Sequence, residues 1–329
     1  MRRAPLVAIV ALLHGACAPA PVARVAPVSP PPAETCSATT PPPQATASEP
    51  QAIAYEPAPP PPPPRAFQEA LDAAGKAIAA NDAVTADKQI AVAVGVAGDD
   101  AHLSYLAARV GAARFVHVGD FDHAAAALVA MIPALAKHPE LPDEFWAHNA
   151  MMMIREAQGD PAAALAEDDQ ATLCASRGTW DPQGRDTLAF QKDRWHRAYL
   201  TRMLAESRTG SAKQALVQYA QAALDEYRPR GFPESVAVLE AYFAALDGKR
   251  DAALAAARRV DPTKDDDVED LYLVVVGLEA GGDHTGAEVV RRVMRRPGVG
   301  VARTIMLRWL DIDAKTPPHG FTPWHARAR

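Results

Sequence analysis

A short punctuation recurs along the chain and constrains its fold more than any other feature. It is a Gly, then a capping residue, then a small Ala five places after the Gly. The copies are Gly119-Asp120-Phe121-Asp122-His123-Ala124, Gly159-Asp160-Pro161-Ala162-Ala163-Ala164 and Gly210-Ser211-Ala212-Lys213-Gln214-Ala215. Two more follow, Gly248-Lys249-Arg250-Asp251-Ala252-Ala253 and Gly282-Asp283-His284-Thr285-Gly286-Ala287, and Asn81-Asp82-Ala83-Val84-Thr85-Ala86 is a degenerate earlier one. Each part has a physical reason. The Gly ends a helix in a left-handed conformation that a β-carbon makes costly. Asp or Ser then accepts the free backbone N–H groups at the start of the next helix. The Ala lets the second helix come close to the first, and Pro161 stands where a first-turn proline is tolerated.

Between these turns, apolar residues recur at spacings of three and four, as in Phe67, Leu71, Ala74 and Ile78, or Val236, Leu239, Phe243 and Leu246, the period of an amphipathic helix. Alternating β-branched runs are scarce and Asn-Gly hairpin signals are absent, so the class expected is all-α. The punctuation resembles the inter-helix turn of tetratricopeptide (TPR) repeats, best at Gly119, Asp120, Phe121 and Ala124. Gly248 with Ala253, and Gly282 with Ala287, match its Gly and Ala positions, and Asp261-Pro262 falls where a repeat ends. The glycines are 34 to 51 residues apart, looser than the family period, and the Trp-Leu-Gly-Tyr pattern of first helices is largely missing. The resemblance is therefore to divergent repeats and covers about three quarters of the chain. It implies an α-solenoid of TPR-like helical hairpins over 66–315; a generic helical array or irregular bundle is the alternative. Val301 to Ile312, with Ile305, Trp309 and Ile312 in one stripe, is expected to cap the end of the array, and 316–329 to be a loose tail.

The first 65 residues read differently. Met1-Arg2-Arg3 precedes an apolar run from Leu6 to Leu13, far shorter than the ~20 residues that span a bilayer and suited to a signal peptide. His14-Gly15-Ala16-Cys17 follows. It resembles the lipobox of bacterial lipoproteins, with Gly15 and Ala16 in the small positions and His14 departing from the usual Leu. The resemblance implies a signal peptide over 1–16 and a diacylated N-terminal Cys17, two acyl attachments being enough for stable anchoring. Ala18 in place of Asp implies the outer membrane, with the periplasmic side expected rather than the cell surface. Residues 17–65 hold more than half of the 30 prolines and too few large apolar groups to offset the entropy of ordering. A disordered, semi-rigid polyproline tether is expected there.

Candidate surfaces lie on the helices. Asp186 to Glu206 contains Lys192, Arg194, Trp195, His196, Arg197, Tyr199 and Arg202, with Leu188, Trp195, Tyr199 and Arg202 at helical spacing. Two readings stand side by side. The apolar members form core with a solvated charged face, or the segment edges a basic, aromatic groove for an acidic or carboxylate-bearing partner. Phe145, Trp146, His148, Asn149, Met152 and Met153 are likewise core or an adaptable methionine surface. By resemblance to peptide-binding repeats, Asn149 and Arg197 take the parts of a carboxylate clamp. The partner-binding set expected is Asn149, Lys192, Arg194, Trp195, Arg197, Tyr199 and Arg202.

Catalytic and metal signals are weak. No His-Glu-x-x-His, Cys-x-x-Cys, Walker loop or Gly-x-Ser-x-Gly occurs, so no metal, cofactor or catalytic residue is expected. Asp265-Asp266-Asp267 with Glu269 and Asp270 lacks the ligand spacing of a calcium loop and suits a helix N-terminus. Arg291, Arg292, Arg295 and Arg296 suit a helix C-terminus. Cys174 stands alone between Ala66 and Lys315 and reads as a buried thiol or a reactive one. Trp180 to Arg185 is an unusual loop in the longest gap between turns. The net charge of −6 disfavours nucleic acid as a partner. The function expected is a membrane-anchored adaptor for protein or peptide partners of the bacterial envelope; the alternative is a cell-wall-acting enzyme or an enzyme-activating subunit.

Overall fold

A computed structural model describes residues 62–178, 188–264, 267–295 and 301–315, with side chains placed in 62–178, 193–264, 267–295 and 301–308. The expected signal peptide with Cys17, nearly all of the tether, the Trp180–Arg185 loop, Asp265, Asp266, Arg296 and the tail lie outside the described residues. So do the side chains of Leu188, Lys192, Trp309 and Ile312.

Among the described residues the regular structure is all helix. Pairs form in chain order: α1 (Arg65–Ala79) with α2 (Ala83–Ala97), α3 (Ala101–Val118) with α4 (Phe121–Val129), then the single turn α5 (Ile132–Leu135). Next come α6 (Asp143–Ala157) with α7 (Pro161–Arg177), α8 (Leu188–Glu206) with α9 (Gly210–Tyr227), α10 (Pro233–Leu246) with α11 (Arg250–Ala257), α12 (Val268–Gly281) with α13 (His284–Met294), and α14 (Val301–Lys315). Two or three residues join the members of each pair. Connections that short fold the second helix back along the first, and the members of each pair are in extensive contact.

The turns explain why the pairs form. Gly119 and Gly282 end α3 and α12 in left-handed conformation, at φ +83° and +85°. Asp82, Asp120, Asp160 and Asp283 then cap the following helices, accepting from the backbone N–H of Thr85, His123, Ala163 and Gly286 at 2.9–3.3 Å. Ala86, Ala124, Ala164, Ala253 and Ala287 are fully buried. The α8–α9 turn departs from this plan. Gly210 is the first residue of α9 instead of a helix terminator, and Ala215 is exposed. The reason is register: α9 buries the stripe Ala220, Ala223, Leu224 and Tyr227, so its sixth residue, Ala215, turns outward.

First and second helices of the pairs differ in burial. Every residue of α12 from Val268 to Leu278 is buried, and α6 and α10 are nearly as enclosed. The second helices α11 and α13 bury only a stripe. A helix buried all round belongs to the interior, so the first helices form an inner layer and the second helices an outer one. At Gly277 the layers meet with no room for a side chain: an added β-carbon would lie 2.8 Å from that of Ala241 on α10 and 3.0 Å from that of Ala257 on α11.

The last helix does more than cap its own end of the row. α14 touches α12 and α13, its neighbours in sequence, but also α3 and α6 near the beginning. Ile305 and Met306 are fully buried and Val301 nearly so. Arg308 lies over the Phe121 ring at 5.8 Å, and Arg303 donates to the Met294 carbonyl oxygen at 2.6 Å. The physical reason is that α3, α6 and α12 all turn apolar side chains inward, and one apolar stripe covers three of them at once.

Candidate functional site

The α8 segment lies inside the fold. Trp195, Tyr199 and Arg202 are buried on α8, as is Asn149 on α6. Trp195 and Tyr199 have ring centroids 5.3 Å apart, and Tyr199 and Tyr242 5.2 Å apart. Arg202 donates to Glu206 and, at 2.8 Å, to Asp247. Arg197 donates to Asp169 on α7 at 2.7 Å and to Asp193 at 3.2 Å, while Arg194 pairs with Glu226 on α9 at 3.3 Å. The expectation of an open, basic, aromatic-edged groove is thus corrected for Asn149, Trp195, Tyr199 and Arg202, which form core. The charge of Arg194 and Arg197 is neutralised by neighbouring helices. Lys192 belongs to α8, and its side chain lies outside those described. Met152 and Met153 are core as well.

What the inner layer encloses instead is a polar cluster around His196. Its Nδ1 lies 3.4 Å from Asp168 on α7 and its Nε2 3.5 Å from Glu269 on α12. Tyr199 donates to the Glu156 carboxylate on α6. Burial alone would discharge His196, but Glu269 and Asp168 outweigh it and lift its pKa from 6.5 to about 10. Burial and the nearby Glu269 charge push Glu156 well above the ordinary carboxylate range, and burial lifts Asp168 to about 6. A histidinium is thus held between two carboxylates, beside a carboxyl that burial keeps neutral.

A second cluster opens to the surface. Glu144 and His148 stand four residues apart on α6 and so share a face; Glu167, Cys174 and Arg177 share the facing side of α7. The Cys174 sulfur, a ring nitrogen of His148 and a Glu144 carboxylate oxygen all lie within 4.8 Å of one another. His148 Nδ1 is 2.7 Å from Glu167. Arg177 bridges the others, donating to Cys174 Sγ at 3.3 Å and to Glu144 at 3.2 Å. Burial lowers the His148 pKa, but hydrogen bonds to Cys174 and Glu167 outweigh this and raise it to about 9. Cys174, Glu144 and Arg177 line an open pocket walled by Ala136, Leu141 and Phe145.

The chain matches no family model, no curated protein and no solved structure. Both clusters, among the described residues, set a buried histidine against carboxylates from another helix. The first is enclosed, its histidine ion-paired between carboxylates. The second offers sulfur, nitrogen and oxygen donors beside open space. The sequence reading missed it, treating Cys174 as solitary and His148 as part of a methionine patch. A signal existed in the same-face spacings of Glu144 with His148 and of Cys174 with Glu167. It is legible only once α6 and α7 are known to lie face to face.

Proposed function

We propose that the chain is an exported lipoprotein, anchored through Cys17 to the outer membrane, whose helical hairpins form a TPR-like scaffold for protein partners on the periplasmic side. The anchor half is supported by the lipobox-like His14-Gly15-Ala16-Cys17 and the proline-rich stretch behind it. The scaffold half is supported by one observation: α14 packs against first helices drawn from distant pairs, α3, α6 and α12. A face that holds one amphipathic helix in cis suits a partner helix with a similar apolar stripe in trans. The side chains of α8, being core, play no part in this reading. It assigns the chain no reaction of its own.

Cross-linking in intact membranes tests both halves. Wild type is compared with Cys17→Ser and with Ile305→Asp, which loosens α14. A defined partner cross-linked to α3, α6 or α12 is expected, less of it for Cys17→Ser and several-fold more for Ile305→Asp. Membrane association untouched by Cys17→Ser removes the anchor. Cross-links that never reach those helices, with or without Ile305→Asp, remove the scaffold.

A further inference from the structure

The pocket between α6 and α7 has the donor set of a transition-metal site. Thiolate, imidazole and carboxylate together suit zinc-type divalent ions, whereas calcium and magnesium take oxygen donors. The three donor atoms already lie within 4.8 Å of one another, so small side-chain adjustments close them around one ion. His148 is prepared for this role. Glu167 accepts from its Nδ1 at 2.7 Å, so that loss of the Nε2 proton gives a lone pair for the metal, the carboxylate–histidine arrangement that orients metal-bound imidazoles. Arg177 supplies an independent observation. Its guanidinium sits between Cys174 and Glu144, so this pair of donors already accommodates positive charge. The Arg177 side chain is 53% exposed and swings into water at small cost.

We propose that Glu144, His148 and Cys174 bind a zinc-type divalent metal ion, with Arg177 as the cation it displaces and one coordination position left facing the pocket. Three protein ligands and an open fourth position is the arrangement of reactive zinc sites rather than closed structural ones. On binding, the Cys174 S–H and His148 Nε2–H bonds give way to metal–sulfur and metal–nitrogen bonds, and both protons pass to solvent. The open position then takes water or a small anionic ligand, with the displaced Arg177 at the pocket rim to pair with the anion.

The test uses the full chain carrying Cys17→Ser and Cys36→Ser, which leaves Cys174 as its one thiol. Titration with cobalt(II) is expected to give a thiolate-to-cobalt charge-transfer band that saturates at one equivalent and is bleached by zinc. Cys174→Ser and His148→Ala on this background should abolish the band with helical circular dichroism unchanged. Arg177→Ala, a change at a half-exposed side chain, should bind several-fold more tightly. The proposal is overturned if no thiolate band forms, or if the band survives His148→Ala. Weaker binding by Arg177→Ala overturns its part as the displaced cation. None of these readouts depends on membrane anchoring or on a partner.

Discussion

At the scale of single residues, the inner layer tolerates neither an added methyl group nor a lost hydroxyl. Gly277 faces the β-carbons of Ala241 and Ala257, which belong to helix bodies and have no torsion with which to yield. Gly277→Ala is expected to destabilise the domain by about 1–3 kcal/mol despite its better helix propensity, read as a lower urea midpoint with an unchanged slope. Tyr199 gives the buried Glu156 carboxyl its hydrogen-bond donor. Tyr199→Phe keeps the ring packing and removes only that donor, an expected loss of about 1–3 kcal/mol; no loss in the same urea experiment would mean the contact contributes nothing net. Neither position is marked by its sequence neighbourhood. Gly277 sits in an apolar run like any helical glycine, and Tyr199 shares its helical stripe with Trp195.

At the scale of helices, the turn chemistry acts locally and was largely legible. Asp160 accepts from Ala163 N at 3.0 Å, and Asp160→Ala should cost roughly 1 kcal/mol in a thermal melt. Asp82, Asp120 and Asp283 were readable in the same way, because a cap needs only the next few residues. Gly210 and Ala215 were not. The turn motif is present, but the face that α9 buries is chosen by α8, and that choice rotates Ala215 into solvent. The α8 segment itself shows the limit of periodicity: Trp195, Tyr199 and Arg202 at helical spacing give the same pattern for a groove edge as for a core stripe. Most of the carboxylates that answer its charges come from α7, α9, the α10–α11 turn and α12, and sequence separation hides them.

At the scale of the whole molecule, the buried charges set a dependence on pH. Asp168 from α7, Glu269 from α12 and Glu156 from α6 surround His196, and its pKa stands at about 10 in the folded chain against 6.5 in the unfolded one. A group whose pKa is raised on folding stabilises fully below its unfolded value, and that contribution disappears as pH rises through the folded value. Stability should therefore fall between pH 6.5 and about 10. Urea midpoints across that range check this, and His196→Gln should lessen the slope. A midpoint that rises with pH in the window would show that the carboxylates do not hold His196 charged.

The sequence by itself determined that the chain is helical and where most turns fall, since a helix period and a cap are written within a few consecutive residues. Tertiary structure alone decided that α8 is core, that α14 returns to α3 and α6, and that Cys174 meets Glu144, His148 and Arg177. These outcomes depend on which faces of separate helices meet. A helix face records that it wants burial, and nothing in it names the surface that will bury it.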